Sequence, residues 1–148
     1  MNRNTILLIL FFGIICNLPC QSYHTLIDLH TAPGWASENG GTTGGGKSKP
    51  TTIKTIEELQ TLVSTEEPQT ILVSGTMGAG LSTKIKVNSN KTIMGLDKAL
   101  IKGSFTIKDA KNIIIRNLTI EGPGAIDVDA PYCITIDNST NIWLDHLD

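Results

Sequence analysis

Beyond Pro68 the apolar residues fall in short runs, and each run is broken by Gly, Asn or Asp. Short runs rich in β-branched residues, bounded by turn-forming residues, predict strands. The predicted strands occupy residues 70–74, 84–87, 91–94, 104–107, 112–120, 133–136 and 141–147. The chain is therefore predicted to be an all-β protein.

One stretch has the pattern of a helix instead. Thr55 and Glu58 stand three residues apart in a capping-box sequence, which is typical of the start of a helix. The apolar residues that follow share one helical face: Ile56, Leu59, Leu62 and Val63. Upstream, six of the thirteen residues 34–46 are Gly, a density that favours irregular backbone. We predict one short helix after a Gly-rich segment.

Two of the predicted strands recur further along the chain at one constant offset. Residues 106–118 align with residues 135–147, with Thr, Ile, Asn, Ile and Leu in matching places, and a shorter copy at 87–95 fits with one residue fewer in its turn. A period of about 20 to 30 residues is typical of a β-solenoid, whose coils bury their apolar faces only by stacking. A β-sandwich with chance similarity is the alternative.

Asn112 and Asn141 occupy matching places in the repeat. In a solenoid they are expected to stack in successive coils and to hydrogen-bond along the axis. The Gly-rich segment and the helix are expected to cap the N-terminal end, whereas the alternation stops at Asp148 with no cap after it. We therefore interpret residues 23–148 as the N-terminal part of a larger solenoid, truncated naturally or as a fragment.

Residues 1–22 have the layout of a secretory signal peptide. Arg3 lies in a short polar start, an apolar run covers 6–16, and Pro19 with small or polar residues follows. The eleven residues of that run are too few for a membrane-spanning helix, which needs about twenty. The chain is expected to be secreted, without a membrane span. Lipid attachment at Cys20 is the alternative, although the preceding Pro19 fits such a site poorly.

Removal of this leader leaves Cys133 as the only cysteine. No intrachain disulfide is then possible, so the fold is expected to be held by packing and backbone hydrogen bonds. Cys133 lies in an apolar stretch and is expected to be a small core residue rather than a nucleophile.

Charge excludes one class of protein and marks two regions. A net charge of −2 argues against a nucleic-acid-binding protein, because neutralising phosphates requires an excess of Lys and Arg. Residues 84–116 hold eight Lys or Arg and two Asp, whereas residues 121–148 hold six acidic residues and no Lys or Arg. This reversal predicts a basic flank beside an acidic patch, or else solvated turns.

Asp127 and Asp129 lie within the acidic region. In extended backbone their spacing places both carboxylates on one face, about 7 Å apart. Hard cations such as Ca²⁺ bind clusters of carboxylate oxygens, usually with further ligands from elsewhere. The pair is a candidate Ca²⁺ site, and a polar turn is the alternative.

Asp145 and His146 are adjacent, and such a pair suggests acid–base chemistry. In a strand, however, neighbouring side chains point to opposite faces, so the two are not expected to hydrogen-bond each other. No Ser or Cys nucleophile is placed near them in the sequence.

Residues 41–48 match the phosphate-loop pattern G-x-x-x-x-G-K-[ST]. That loop requires a buried strand before it and a helix that begins at its Lys. Here no strand precedes the pattern, and Pro50 delays the helix to Thr55. A nucleotide site is not expected.

Several blocks of the sequence, taken in order, resemble the N-terminal half of the pectate lyase family, in its large pectate and pectin lyase branch. They are residues 34–36 with the following Gly-rich run, and residues 53–59, 71–76, 89–95, 112–118 and 141–146. The last block, N-x-W-x-D-H, is the most specific. The resemblance implies a right-handed parallel β-helix, secretion, and Ca²⁺-dependent cleavage of α-1,4-linked polygalacturonate (pectate) by β-elimination.

The resemblance also assigns residues. Trp143, Asp145 and His146 map onto the N-x-W-x-D-H signature, which lies near the family's cleft. The family's catalytic arginine and its remaining calcium ligands lie beyond Asp148, so the catalytic residues of this chain are unknown. Arg116 occupies a different strand and is not taken as the base.

The family's calcium carboxylates nearest the signature fall at Ala130 and Tyr132 when no gap is allowed. Asp127 and Asp129 match them after a small shift, and they are the Ca²⁺ ligands that we expect from the resemblance. The chain is thus expected to be an incomplete and inactive portion of a secreted lyase that is monomeric when complete and acts on pectate or another acidic plant polysaccharide. The alternative is a non-catalytic β-helix that binds acidic polysaccharide or a cell surface.

Overall fold

The computed structural model describes residues 32–78, 80–126 and 132–148. Within these ranges the chain forms eight strands and one α-helix, α1 (Ile56–Ser64). The strands are β1 (Thr51–Ile53), β2 (Gln69–Met77), β3 (Lys84–Lys86), β4 (Lys91–Lys102), β5 (Ser104–Lys108), β6 (Lys111–Glu121), β7 (Ile134–Asp137) and β8 (Thr140–Leu147).

The strands form two parallel sheets. The larger has the order β1-β2-β4-β6-β8 and the smaller the order β3-β5-β7. From β3 onward the chain alternates between the sheets, and each strand pairs in parallel with the strand two places later. The chain therefore winds as a parallel β-helix, which confirms the predicted solenoid. The β-sandwich alternative is wrong, because the sheets of a sandwich are antiparallel.

The offset predicted from the repeat is the register of the last two coils. Lys111 pairs with Thr140 in the larger sheet, and Phe105 pairs with Ile134 in the smaller. Both pairs have the same separation along the chain as residues 106 and 135, the first positions of the aligned segments. One period therefore sets the stacking in both sheets.

The turn before β4 is shorter than its later copy before β6. Lys86 pairs with Thr106 in the smaller sheet, and Lys91 pairs with Ile113 in the larger. The connection from Lys86 to Lys91 is thus two residues shorter than the one from Thr106 to Ile113, rather than the one residue predicted.

The core lies between the two sheets and is built from columns of stacked side chains. Ile71, Ile93 and Ile115 pair in register across β2, β4 and β6, and all three are fully buried, as is Phe105 from the smaller sheet. Each such isoleucine contributes about 2 kcal/mol through burial. Leu144 continues the column in β8 but is 37% exposed, since no described strand covers it.

Helix α1 closes the N-terminal end of the core, as predicted. The Thr55 hydroxyl accepts a hydrogen bond from the N–H of Glu58, and the Glu58 carboxylate accepts one from the N–H of Thr55. Backbone N–H groups of Lys54 and Thr55 lower the pKa of Glu58. Leu59 and Val63 are fully buried against the core. None of the helices in the described ranges has the length and apolar character needed to cross a membrane.

Lys91 is fully buried at the start of β4. Its Nζ donates hydrogen bonds to the carbonyl oxygens of Thr65, Glu67 and Ser89 at 2.8–2.9 Å. Burial lowers the pKa of Lys91, and the nearby carboxylates of Glu66 and Glu67 oppose that shift. The ammonium group therefore ties the loop after α1 to the first turn of the coil.

Cys133 departs from its prediction, because the structure leaves it exposed. It lies in the turn immediately before β7, and its Sγ is 3.5 Å from the carbonyl oxygen of Ile120. Ser104, which holds the matching place one coil earlier, is buried. The earlier place has a further coil stacked on it, whereas no described coil covers Cys133.

Candidate functional site

The N-x-W-x-D-H sequence forms most of β8, and two of its side chains lie on the outer face of the larger sheet. Register pairs Trp143 with Ile114 and Asp145 with Arg116 on the neighbouring strand β6. Ile114 and Trp143 are buried in a small apolar cluster outside the main core. The sheet therefore places a guanidinium and a carboxylate side by side above an apolar base.

Arg116 contacts both Asp145 and Trp143 on this face. Its Nε and Nη2 each lie 2.7 Å from Oδ2 of Asp145, and its Cζ lies 4.2 Å from the centre of the Trp143 ring. The side chains of Arg116 and Asp145 are only 14% and 24% exposed. Partial removal from water strengthens both the ion pair and the cation–π contact.

His146 completes the group, which we call the signature cluster: Arg116, Trp143, Asp145 and His146. Its Nδ1 lies 2.8 Å from Oδ1 of Asp145, so the prediction that the two side chains do not pair is wrong. The cause is backbone geometry, because His146 has φ = 49°. This left-handed conformation ends the strand alternation on which the prediction depended.

The surroundings of Asp145 favour its anionic form. Partial burial acts to raise its pKa, but the hydrogen bonds from His146 and Arg116 and the charge of the guanidinium outweigh burial and hold the pKa below the usual aspartate value. Both of its carboxylate oxygens are occupied by cationic or hydrogen-bonding partners within the protein. Asp145 therefore orients the Arg116 guanidinium and the His146 ring through its two carboxylate oxygens.

A shallow pocket of about 160 Å³ borders the cluster, lined by Met94, Arg116, Asn117 and His146. The His146 side chain is 78% exposed at its rim. The side chains that the pocket offers are an ion-paired guanidinium, an amide and an imidazole. This lining is suited to binding a polar group and includes no nucleophile.

The predicted calcium ligands cannot be placed in this geometry. Asp127 and Asp129 lie outside the described residues, just after the 3₁₀ turn Gly124–Ile126. In the part of the chain that the structure describes, no three Asp, Glu, His or Cys side chains come together in a group that fits a metal ion. The described residues thus do not fit Ca²⁺ by themselves, and the assignment to Asp127 and Asp129 remains a prediction.

The Gly-rich segment runs along the outside of the larger sheet and is tied to it by side chains. Asn112 Oδ1 accepts hydrogen bonds from the N–H groups of Thr43 and Gly44 at 2.7 and 2.9 Å, and Thr92 Oγ1 accepts one from Gly45 at 2.9 Å. A phosphate loop would direct such amides at its ligand. Here they bond the sheet, so this segment is a structural strap. The prediction that it caps the N-terminal end with the helix is wrong, because of the two only α1 packs on the core there.

Asparagines stack where β4, β6 and β8 begin: Asn90 immediately precedes β4, and Asn112 and Asn141 are the second residues of β6 and β8. Asn90, Asn112 and Asn141 all have left-handed backbone, with φ of 61°, 62° and 54°. Asn112 Nδ2 donates to Asn90 Oδ1 at 2.9 Å, whereas Asn141 Nδ2 donates to the Gly41 carbonyl at 3.4 Å. The three asparagines thus stack as predicted, but the predicted hydrogen bond between Asn112 and Asn141 is wrong: Asn112 bonds Asn90 in the coil before it, and Asn141 bonds the Gly-rich segment.

Charges of the basic region pair with acids one coil later. Lys102 lies 3.7 Å from Glu121, and Lys108 lies 3.4 Å from Asp137. All four side chains are 41–59% exposed, so each pair contributes at most about 1 kcal/mol. These pairs support the solvated-turn interpretation of the charge reversal.

Arg116 was not among the site residues expected from the sequence. The signal was present, because Arg116 and Asp145 are separated by the period of the repeat, as residues 106 and 135 are. Residues one period apart stand side by side in a solenoid. Applying the period to charged residues would have paired them.

Comparison with known proteins finds relatives within one family. Residues 9–148 match the family profile described as Pectate lyase. A probable pectate lyase B from Aspergillus terreus is 42% identical over 116 residues, which are 78% of this chain and 34% of that protein. A pectate trisaccharide-lyase from Thermotoga maritima is 39% identical over 113 residues, which are 72% of this chain and 30% of that protein.

Solved structures give the same result. A pectate lyase from a Bacillus species, determined in complex with trigalacturonate, is 28% identical with a TM-score of 0.65 and covers 78% of this chain and 41% of its own. The chain spans about a third of the length of the curated relatives that it matches. The family profile covers nearly all of the sequence, and the chain therefore belongs to the pectate lyase family.

Proposed function

We propose that this chain forms coils of a secreted polysaccharide lyase that cleaves pectate by β-elimination. The observation that carries the proposal is the family match over residues 9–148, together with relatives that are named as pectate lyases. The Bacillus neighbour bound to trigalacturonate supports an oligogalacturonate as the ligand class. We further propose that residues 1–22 direct export.

The elimination requires a base that this chain is not proposed to supply. The base removes the proton from C5 of a galacturonate, a double bond forms between C4 and C5, and the C4–O bond breaks. Arg116 is ion-paired with Asp145 and stacked on Trp143. Its guanidinium is therefore held by contacts within the protein and is not proposed as the base. We therefore propose that the 148-residue chain alone is inactive on pectate.

We also propose that Asp127 and Asp129 contribute to a Ca²⁺ site. When bound, Ca²⁺ would neutralise the uronate carboxylate and make the C5 proton more acidic. Thermal unfolding with Ca²⁺ or Mg²⁺ tests this without activity, because a ligand that binds the folded state raises the melting temperature. Ca²⁺ is expected to raise it, and Asp127→Asn with Asp129→Asn to abolish the rise. An equal rise in the double variant would contradict the assignment.

A chimera tests the proposed activity. The segment of the Aspergillus terreus relative that matches this chain is replaced by the corresponding residues of this chain. The folded chimera is expected to release unsaturated product from polygalacturonate, measured by ultraviolet absorbance, whereas this chain by itself releases none. A chimera that folds and retains polygalacturonate without cleaving it would favour the non-catalytic alternative.

A further inference from the structure

Trp35 is almost completely exposed. It keeps 94% of its surface in water, whereas Trp143, the other tryptophan, keeps 8%. The other large apolar side chains that are exposed in the described residues are Tyr132, Ile136 and Leu144, at 62%, 45% and 37%. Ile136 and Leu144 lie in the last described coil, but Trp35 lies in the Gly-rich segment, so its exposure needs another explanation.

The turn that presents Trp35 is fixed to the body of the protein. It is the 3₁₀ turn Gly34–Ser37, and the carbonyl of Ala36 accepts a hydrogen bond from the N–H of Thr42 at 2.8 Å. Ala36 packs against the buried cluster that contains Ile114 and Trp143. The indole is thus held outward by an anchored turn, and little backbone entropy is lost when it binds a ligand.

The surroundings of Trp35 are polar. A surface pocket of about 270 Å³ is lined by Gly34, Trp35, Ser37 and Glu38. Protein-binding surfaces usually have a contiguous apolar centre, and these neighbours do not supply one. A single flat aromatic ring beside a carboxylate and a hydroxyl suits a sugar, whose C–H face stacks on the ring while its hydroxyls donate to the oxygens.

The charge of Glu38 selects among sugars. Its carboxylate accepts hydrogen bonds from hydroxyl groups but repels the carboxylate of a uronate. We propose that Trp35 and Glu38 form a contact site for a neutral polysaccharide, separate from the signature cluster and from any pectate site. This proposal does not depend on the lyase function, because it concerns binding by this chain alone.

Retention in native gels containing hydroxyethyl cellulose or soluble galactan tests the site, and polygalacturonate serves as the charged comparison. The wild-type chain is expected to be retarded by at least one neutral polymer. Trp35→Ala is expected to weaken that binding about tenfold or more, and Trp35→Phe less. Tyr132→Ala, which removes another exposed aromatic side chain, is the matched control and is expected to bind like the wild type.

A second variant tests the role of Glu38. Glu38→Gln is expected to keep binding to the neutral polymer and to increase retention by polygalacturonate, because the repulsion is removed. Circular dichroism checks that each variant is folded. The proposal is overturned if the wild-type chain binds neither neutral polymer, if folded Trp35→Ala binds as the wild type does, or if Tyr132→Ala loses binding to the same extent.

Discussion

Asp145 organises the signature cluster, because its two oxygens hold different partners. Oδ2 takes the Arg116 guanidinium and Oδ1 the His146 ring, while the Trp143 face lies against Arg116. Since Arg116 comes from β6 and the other three from β8, the cluster also joins two successive coils. The cluster thus adds side-chain contacts to the backbone pairing of β6 and β8.

The substitution Arg116→Met is expected to lower the free energy of unfolding by about 2 kcal/mol, because it leaves the partly buried Asp145 carboxylate without its guanidinium partner. Asp145→Asn keeps the shape and is the matched partner for a double-mutant cycle. Urea unfolding of the wild type, both single variants and the double variant measures the coupling. Additive effects would show that the ion pair contributes nothing.

Stability at acid pH is expected to depend on the Asp145 carboxylate. The folded pKa of Asp145 is lowered below 3.8, the ordinary value, so its contribution to stability is fully present above that value. The contribution is lost as pH falls through the lower folded pKa. The difference in unfolding free energy between the wild type and Asp145→Asn is expected to shrink as the pH falls below 3.8; a constant difference would contradict the ion pair.

Lys91 shows how a buried charge serves the fold. Lys91→Met fills the same space but leaves the carbonyls of Thr65, Glu67 and Ser89 without their donor. The loss is expected to lower the free energy of unfolding by about 2 kcal/mol.

The same lysine predicts a pH dependence. The folded pKa of Lys91 is lowered from 10.5, so between the folded and unfolded pKa values the unfolded chain binds more protons. The stability of the wild type relative to Lys91→Met should therefore rise with pH in that window. Paired urea titrations measure it, and a falling difference would contradict the burial.

For single residues, the sequence predicted the identity of several candidate site residues but not their contacts. Trp143, Asp145 and His146 were identified from the signature, and the period contained the partner Arg116. The pairing of Asp145 with His146 depends on φ = 49° at His146, a backbone conformation that its residue type does not require. The buried state of Lys91 was missed because Lys is rarely buried unless its charge has partners, and here the partners are backbone carbonyls.

Among the elements, the strap formed by the Gly-rich segment depends most on one side chain. Asn112 accepts from two of its amides and donates to Asn90. Asn112→Ala is expected to lower stability by about 3 kcal/mol, because the hydrogen bonds are lost and Ala is strained at φ = 62°.

Asn112→Gly is the matched control, since Gly adopts this backbone freely. It is expected to recover about 1 kcal/mol of the loss. In both variants hydrogen exchange at the amides of Thr43 and Gly44 should accelerate. Unchanged exchange in Asn112→Gly would show that the strap does not depend on the amide side chain.

Most of the strands were predictable, since each is a short apolar run between turn residues. β1 was not predicted, because its three residues are too few for alternation to show. β2 extends to Met77 and β4 to Lys102, instead of ending at Ser74 and Met94. In both, the sheet continues through a register shift, and an irregular strand has no simple period.

At the scale of the whole molecule, stacking turns a repeat in sequence into neighbours in space. The offset of the repeat pairs β5 with β7 and β6 with β8, and it sets Arg116 beside Asp145. The parallel β-helix was predictable from that period, because only stacked coils maintain one offset across many positions. The proposed Ca²⁺ ligands Asp127 and Asp129 lie outside the described residues, so their assignment stays a prediction.

One register between the last two coils builds both the fold and the signature cluster. The most direct test is the yield of a short thiol cross-link between Thr106→Cys and Thr135→Cys, which pair in register on β5 and β7. The three native cysteines are first replaced by Ser. We expect near-complete cross-linking of this pair and little of Thr106→Cys with Asp137→Cys, two residues further along the strand. The reverse order of yields would contradict the register and, with it, the pairing of Arg116 with Asp145.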